Sequence, residues 1–492
     1  MIDEKKALIT IFGGTGDLAK RKLYPSLYRL YRKGYLNKHF AVIGTARREW
    51  SDAFYREVVI ESVGDLAESP AHVAEFASHF YYQAHNVTDT EHYDKLKELS
   101  ETLDAQYHLD GNRVFYLAMA PSFFGTITEH IKTQHLLTDH GYRHLVIEKP
   151  FGHDYESATV LNEQIRKVFE EDEIYRIDHY LGKEMIQNIS AVRFANTLFE
   201  SLWNNRYIEN VQVTLSEALG VEERGGYYET SGALLDMVQN HVLQVISLLV
   251  MEPPIKLTDA EIREEKIRAL RSIRVMASNE VNDYFVRGQY GPSETDPTLK
   301  GYRQEEHVAP DSTTETFVAG KIMVDNFRWK GVPFYIRTGK RMKERGTQIN
   351  IHFKNVPMNL FSNEDQENLC PNILTIFIQP TEGFSMRLNA KKVGQGLHTN
   401  PIKLEYLNPT DKGLNTPEAY EKLILDCLNG DSTNFTHWDE VALSWKFVDV
   451  IQDTWKQNQP DFPNYASGTM GPACSDELLA KNGHKWFWNE IG

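Results

Sequence analysis

Apolar and polar positions follow one rhythm over the first third of the chain and another over the rest. Ala7–Phe12 (ALITIF) is a β-branched run without charge, the signature of a buried parallel strand. A glycine-rich turn follows, then a helical pattern over 18–33 with Gly34 as its stop. The pattern then predicts strands over 40–45, 80–83, 113–119 and 144–148, alternating with helices over 47–63, 91–103 and 126–137. Such alternation argues for an α/β Rossmann-type doubly wound parallel sheet.

Beyond residue 200 the rhythm changes. Residues 207–218 (YIENVQVTLSEA) alternate as a half-exposed antiparallel strand would, and 349–353, 374–379 and 384–388 predict further short strands. Apolar-rich helices are expected over 232–250 and 438–455. This reads as an α+β domain with a large, mainly antiparallel sheet, and the chain is divided into 1–178 and 179–492.

Composition narrows the function. With 53 Lys and Arg against 69 Asp and Glu, the net charge of −16 argues against nucleic-acid or anionic-membrane partners. The three cysteines, Cys370, Cys427 and Cys474, are far apart, so neither a disulfide framework nor a CxxC metal site is expected, and no metal is assigned. The longest apolar stretch, 242–251, is about half a membrane span, and no leader is read at the N-terminus, so the expectation is a soluble, cytoplasmic protein.

The turn after the first strand reads Gly13-Gly14-Thr15-Gly16-Asp17-Leu18-Ala19, in which Gly14, Gly16 and Ala19 satisfy G-x-G-x-x-A. Glycine lets the backbone approach a pyrophosphate, and the helix start offers N–H groups and a positive dipole end. The second strand runs out into Arg47 and Arg48, where an NAD site places a carboxylate. Guanidinium groups suit a 2′-phosphate, so an NADP site is predicted, with NAD as the lesser alternative. Arg47 and Arg48 are read as lying at a helix start, where their charge has the wrong sign unless a phosphate is bound. The ends of the fourth and fifth parallel strands place Ala120, Pro121, Glu148, Lys149 and Pro150 beside the same cofactor, with Lys149 also a candidate for substrate.

Arg176-Ile177-Asp178-His179-Tyr180-Leu181-Gly182-Lys183-Glu184 is dense in functional groups. In a helix or tight turn His179 and Lys183 project together, a repulsive pair unless an anion lies between them. A solvated loop is the plainer reading of these residues by themselves.

RIDHYLGKE, together with GGTGDLAKRKL, IEKPFG, SEALGVEERGGYY, GALLDMVQNH and RTGKRM, resembles the glucose-6-phosphate dehydrogenase family over nearly the whole chain. The resemblance implies oxidation of β-D-glucose 6-phosphate to 6-phospho-D-glucono-1,5-lactone with NADP⁺. It implies His241 as general base, assisted by Asp178. It implies His179, Tyr180 and Lys183 at the 6-phosphate, with Arg345 the aligned basic residue beyond the RTGK motif and Lys343 close by. Glu217, Asp236 and Lys340 would contact sugar hydroxyls, Tyr420 would lie near the phosphate, and Asn86 and Val87, where many relatives have Asp, would lie near the adenosine or ribose of the cofactor. A homodimer or dimer of dimers, joined sheet to sheet, is implied as well. Two other readings stand beside it. One is a different sugar oxidoreductase sharing Glu148-Lys149-Pro150, for which free glucose would serve. The other is a non-catalytic dinucleotide sensor, which would have lost its base or the base's partner.

Overall fold

Ala7–Phe12, buried at every position, is the central strand β1 of a seven-stranded sheet. The computed structural model describes residues 3–361, 369–408 and 418–488. It divides the chain into two units. One comprises Met1–Lys183, Lys256–Arg263 and Thr416–Ala442, and the other Glu184–Ile255, Glu264–Asn415 and Leu443–Gly492.

In the first unit β1 is joined by β2 (Phe40–Ala46), β3 (Phe80–Ala84), β4 (Arg113–Leu117), β5 (Arg143–Ile147) and β6 (Ile174–Ile177), all parallel, in the order β3-β2-β1-β4-β5-β6. The two-residue strand Phe435–Thr436 closes the edge, antiparallel to β6. The doubly wound sheet is therefore present, and the reversal of strand order between β1 and β4 opens the crevice in which such sheets bind ligands. The predicted helix over 47–63 is shorter than expected. It spans Asp52–Val63, with the Ser51 side chain accepting the Phe54 N–H, so Arg47 and Arg48 lie in a bend before it and not at its start. Likewise 126–137 resolves to Phe124–Thr133, ended before the left-handed residue His135. Helices at Pro70–Ser78 and Tyr155–Arg166, and strand β6, were not anticipated. The second of these helices carries a reciprocal Asp154–Ser157 cap that is readable in the sequence.

The second unit holds an eight-stranded sheet of β7 (Ile208–Ser216), β8 (Phe285–Gly288), β9 (Phe317–Met323), β10 (Pro333–Gly339), β11 (Gly346–Phe353), β12 (Ile373–Gln379), β13 (Gly383–Lys391) and β14 (Thr399–Leu407). Its order is β14-β13-β12-β11-β7-β10-β9-β8. Every pairing is antiparallel except β7 with β10. The expectation of a half-exposed β7 fails, because Asn210, Gln212 and Thr214 are as buried as Val211 and Val213. The chain end lies over that polar face. Gln212 donates to the Lys485 carbonyl at 2.9 Å and accepts the Phe487 N–H at 2.8 Å, and Asn350 donates to the Phe487 carbonyl at 3.2 Å. The polar side of the strand is thus satisfied by backbone in place of water.

Among the described residues one continuous helical run, Glu222–Val250, is long and apolar enough to cross a membrane, with a mean hydropathy of 1.4 in its best window. Of that window 89% is buried within the protein, as for a core helix. The run is also broken: Gly232 adopts φ 57° and ψ −178°, and Leu234–Val242 is wound as a π-helix. The expected single helix over 232–250 is therefore two segments, the second being Leu243–Val250. All three cysteines are free thiols.

Candidate active site

The first unit builds its site at the carboxyl ends of its parallel strands. Gly13 and Gly14 both donate to the Thr45 carbonyl, at 2.9 and 3.0 Å, and Gly16 donates to the Gly13 carbonyl at 2.9 Å. Gly13 has φ +97°, and a Cβ there would stand 2.3 Å from the Ala118 carbonyl oxygen. At Gly14 a Cβ would come within 2.9 Å of the Gly44 Cα. Only glycine permits a turn pressed this closely onto β2 and the end of β4. The Tyr24 hydroxyl donates to the Gly14 carbonyl and sits 2.9 Å from that of Tyr55, which braces the turn from below. The helix opens at Asp17, and Thr15, Gly16, Asp17 and Leu18 hold the positions around its start.

Arg47 and Arg48 are exposed past the end of β2. The Arg48 guanidinium lies 5.7 Å from the centre of the Trp50 ring, with Lys20 over the same ring at 5.9 Å. Three cations therefore stand beside the glycine turn. Their charge suits a dinucleotide bearing an extra phosphate. The helix-dipole argument for Arg47 and Arg48 does not hold, since both precede the helix. Asn86 and Val87 follow β3. Asn86 is exposed, its backbone N–H donating to His92 Nδ1 at 2.7 Å, while Val87 is buried and its carbonyl accepts the Tyr93 hydroxyl. Ala120 and Pro121 begin the short helical turn after β4.

Glu148 is half-buried at the end of β5. Tyr116 donates to it at 2.7 Å, and the Tyr420 hydroxyl is bonded to it as well. Desolvation pushes its carboxyl up to about 7, against the pull of those hydroxyls and of Lys149. The Lys149–Pro150 peptide is cis. After β6 the chain makes two tight turns, in which Leu181 N–H donates to the Asp178 carbonyl and Lys183 N–H to the Tyr180 carbonyl, both at 3.0 Å. Asp178 is buried and its Oδ1 accepts the Tyr180 N–H at 2.9 Å. The Lys183 ammonium lies 3.9 Å from the centre of the Tyr180 ring, and the His179 ring stacks on Tyr420 at 6.5 Å and 9°. The turns thus bring His179 against Tyr420 and Lys183 against Tyr180.

In the second unit Glu217 follows β7 and Lys340 follows β10. Because those strands are parallel neighbours, the two side chains leave the sheet at the same end, and Lys340 is ion-paired to Glu217. The Lys340 ammonium also lies 5.4 Å from the centre of the Tyr228 ring. Asp236 and His241 are both buried, His241 completely, and both lie on the π-wound segment. On an α-helix residues five apart diverge by roughly 140°. Wider π winding brings them toward one side. The Tyr227 hydroxyl donates to Asp236 at 3.2 Å, and burial, added to by the Asp236 carboxylate, holds the phenol well above its usual range. Arg345 is exposed, immediately before β11, and Lys343 is exposed nearby.

Four side chains that the sequence reading passed over touch these groups: Trp50, Tyr116, Tyr227 and Tyr228. Tyr116 stands one residue before the end of β4, where parallel strands present ligand groups, and that position was a usable signal. The two tyrosines of GGYY carried none: Tyr228 meets the distant Lys340, and Tyr227 meets Asp236 only across the break at Gly232.

Residues 10–188 match the model of the glucose-6-phosphate dehydrogenase NAD binding domain, and residues 190–487 that of the glucose-6-phosphate dehydrogenase C-terminal domain. The chain is 57% identical over 487 residues to the glucose-6-phosphate 1-dehydrogenase of Bacillus subtilis (strain 168), covering 99% of each. It is 53% identical to that of Streptococcus pneumoniae serotype 4, covering 98% of this chain and 97% of the other. A glucose-6-phosphate dehydrogenase solved in complex with glucose-6-phosphate superimposes with a TM-score of 0.91 at 37% identity, over 99% of this chain and 100% of that one. With a glycine turn and cations in the first unit, and a buried imidazole and aspartate in the second, the chain belongs to the glucose-6-phosphate dehydrogenase family.

Proposed function

We propose that the chain oxidises β-D-glucose 6-phosphate at C1 to 6-phospho-D-glucono-1,5-lactone, using NADP⁺. The coenzyme supplies the acceptor for the hydride that leaves C1. His241 takes the proton of the C1 hydroxyl as the C1–O bond becomes a carbonyl. The two departures coincide closely, since a free alkoxide is costly near neutrality. Asp178 fixes the imidazole tautomer and stabilises the imidazolium that forms.

His179, Tyr180 and Lys183 hold the 6-phosphate, with Tyr420 against the His179 ring and Arg345 supplying a further cation. The dianion relieves the His–Lys repulsion of those turns. Glu217, Asp236 and Lys340 bind sugar hydroxyls; the Glu217–Lys340 pair offers both donors and acceptors. Lys149 serves substrate and nicotinamide side alike. Gly13, Gly14, Thr15, Gly16, Asp17 and Leu18 cradle the pyrophosphate, and Arg47 and Arg48 take the 2′-phosphate. Asn86, Val87, Ala120, Pro121, Glu148 and Pro150 complete the wall. Residues 1–178 carry the coenzyme, and 179–492 bind the sugar and mediate self-association.

The reading rests most heavily on His241, an imidazole with no solvent access on a π-wound segment. Lone buried histidines are ordinarily core residues, and family membership is what favours a base here. Formation of NADPH with glucose 6-phosphate, with glucose and without sugar tests it. Equal rates on free glucose would favour a general sugar oxidoreductase, and no rate at all a sensor.

We further infer a cytoplasmic protein with no nucleic-acid or membrane partner, associating as a homodimer or dimer of dimers. Strand β14 supports the association: it is exposed along nearly its whole length and presents Ile402, Leu404 and Tyr406 to solvent. Light scattering reports the mass, and a monomer would overturn that part.

A further inference from the structure

The break at Gly232 leaves backbone N–H groups inside a buried helical run, and such groups need acceptors. One residue supplies two. Glu315, on the chain leading into β9, accepts the Ala233 N–H on its carbonyl at 2.9 Å and the Leu234 N–H on Oε1 at 3.0 Å. A Cβ on Gly232 would stand 2.2 Å from that Oε1 and displace the carboxyl from the Leu234 N–H. The next residue continues the brace. The Thr316 carbonyl accepts the Lys340 N–H at 2.9 Å, and its hydroxyl lies 3.0 Å from that of Tyr465, which donates to the Lys340 carbonyl at 2.8 Å. A two-residue segment therefore fixes both the start of the π-helix and the backbone of Lys340.

We propose that Glu315 is a positioning residue for the oxidation: by capping Leu234–Val242 it holds the π winding that sets Asp236 and His241 relative to each other. The inference rests on the reading of His241 as base. Without the cap, the Leu234 N–H is left unsatisfied in a buried place, and the segment relaxes toward α winding, which rotates Asp236 away from the side of His241. What the cap needs is an oxygen at the right reach. Burial pushes the Glu315 carboxyl up to about 7, so both its forms are present near neutrality, and either can accept the N–H. A glutamine amide can do the same; an aspartate is one methylene too short.

The test compares Glu315→Gln, Glu315→Asp and Glu315→Ala by steady-state kinetics and circular dichroism. Glu315→Gln is expected to retain kcat within about threefold, whereas the Asp and Ala variants lose about tenfold or more. KM for NADP⁺ should stay near the parent value in all three, since the glycine turn of the first unit is untouched. The proposal is overturned if folded Asp or Ala variants keep kcat within about twofold, or if Gln is as impaired as Ala. It also falls if neither the Asp nor the Ala variant folds, because Glu315 would then serve stability alone. His241→Asn, run in parallel, separates the two claims. If it turns over normally, the base assignment is wrong; if it is inactive while the Asp and Ala variants are normal, only the role of Glu315 is.

Discussion

The hydroxyl of Tyr116, near the carboxyl end of β4, donates to the carboxyl of Glu148, the residue after β5, at 2.7 Å. That bond favours the ionised acid, while burial raises its pKa from 4.5 to about 7. The folded protein thus keeps a proton on Glu148 that the unfolded chain has released, so stability falls as pH rises through that interval. Glu148→Gln should flatten part of this slope in urea denaturation. Tyr116→Phe removes a donor to the charged form, raises the pKa further and should extend the loss to higher pH. Glu315, also raised to about 7, and Asp426, raised to about 6, leave a residual slope in either variant. A pH dependence unchanged by Glu148→Gln would contradict this account of the carboxyl.

Arg47 and Arg48 are exposed past the end of β2, and the proposed function gives them the 2′-phosphate. A charge-assisted bond contributes about 1.5–3 kcal/mol, so Arg47→Ala should weaken NADP⁺ binding by roughly ten- to a hundredfold. NAD⁺ binding should change little. Fluorescence titration with both coenzymes checks this, and unchanged NADP⁺ affinity would remove the arginine from the site.

Gly232 occupies a region of backbone space that essentially only glycine adopts. Gly232→Ala adds the clash with Glu315 to that strain. The variant should lose at least about 1–3 kcal/mol of stability, read from urea midpoints. Wild-type stability would mean that the π-wound segment tolerates a different entry.

Asp178 accepts the Tyr180 N–H through Oδ1, a bond that the carbonyl of an asparagine preserves. Asp178→Asn should therefore fold normally, yet lose on the order of a thousandfold in kcat if its charge steadies the imidazolium. Near-normal turnover would confine Asp178 to holding the turn.

What the sequence carried was what is local. β1 and the glycine turn were legible because a buried strand, a tight turn and a helix start each leave their mark within a few residues. The turns after β6 were legible only in part: the spacing allowed a tight turn, but the solvated loop that is the plainer reading is not found, since Asp178, Tyr180 and Leu181 are buried. Distance hid the rest. β7 alternates as a strand facing water would, but its polar side is covered by residues near the chain end. Tyr420 meets Glu148 because helix Ala419–Asn429 returns to the first sheet, which no periodicity announces. Residues 234–242 are wound as a π-helix after the break at Gly232, so a reading at 3.6 residues per turn put Asp236 and His241 on different stripes. One miss was avoidable: Ser51-Asp52 is a helix-start signal, and reading it would have left Arg47 and Arg48 outside the helix.

The account stands on His241 as the group that removes the anomeric proton, and the most direct measurement is the rate of NADPH formation from glucose 6-phosphate by the parent and by His241→Asn. The account predicts rapid turnover by the parent, little with free glucose, and a fall on the order of a thousandfold or more in kcat for the variant, with glucose 6-phosphate still bound. A folded His241→Asn enzyme that turns over like the parent would contradict it.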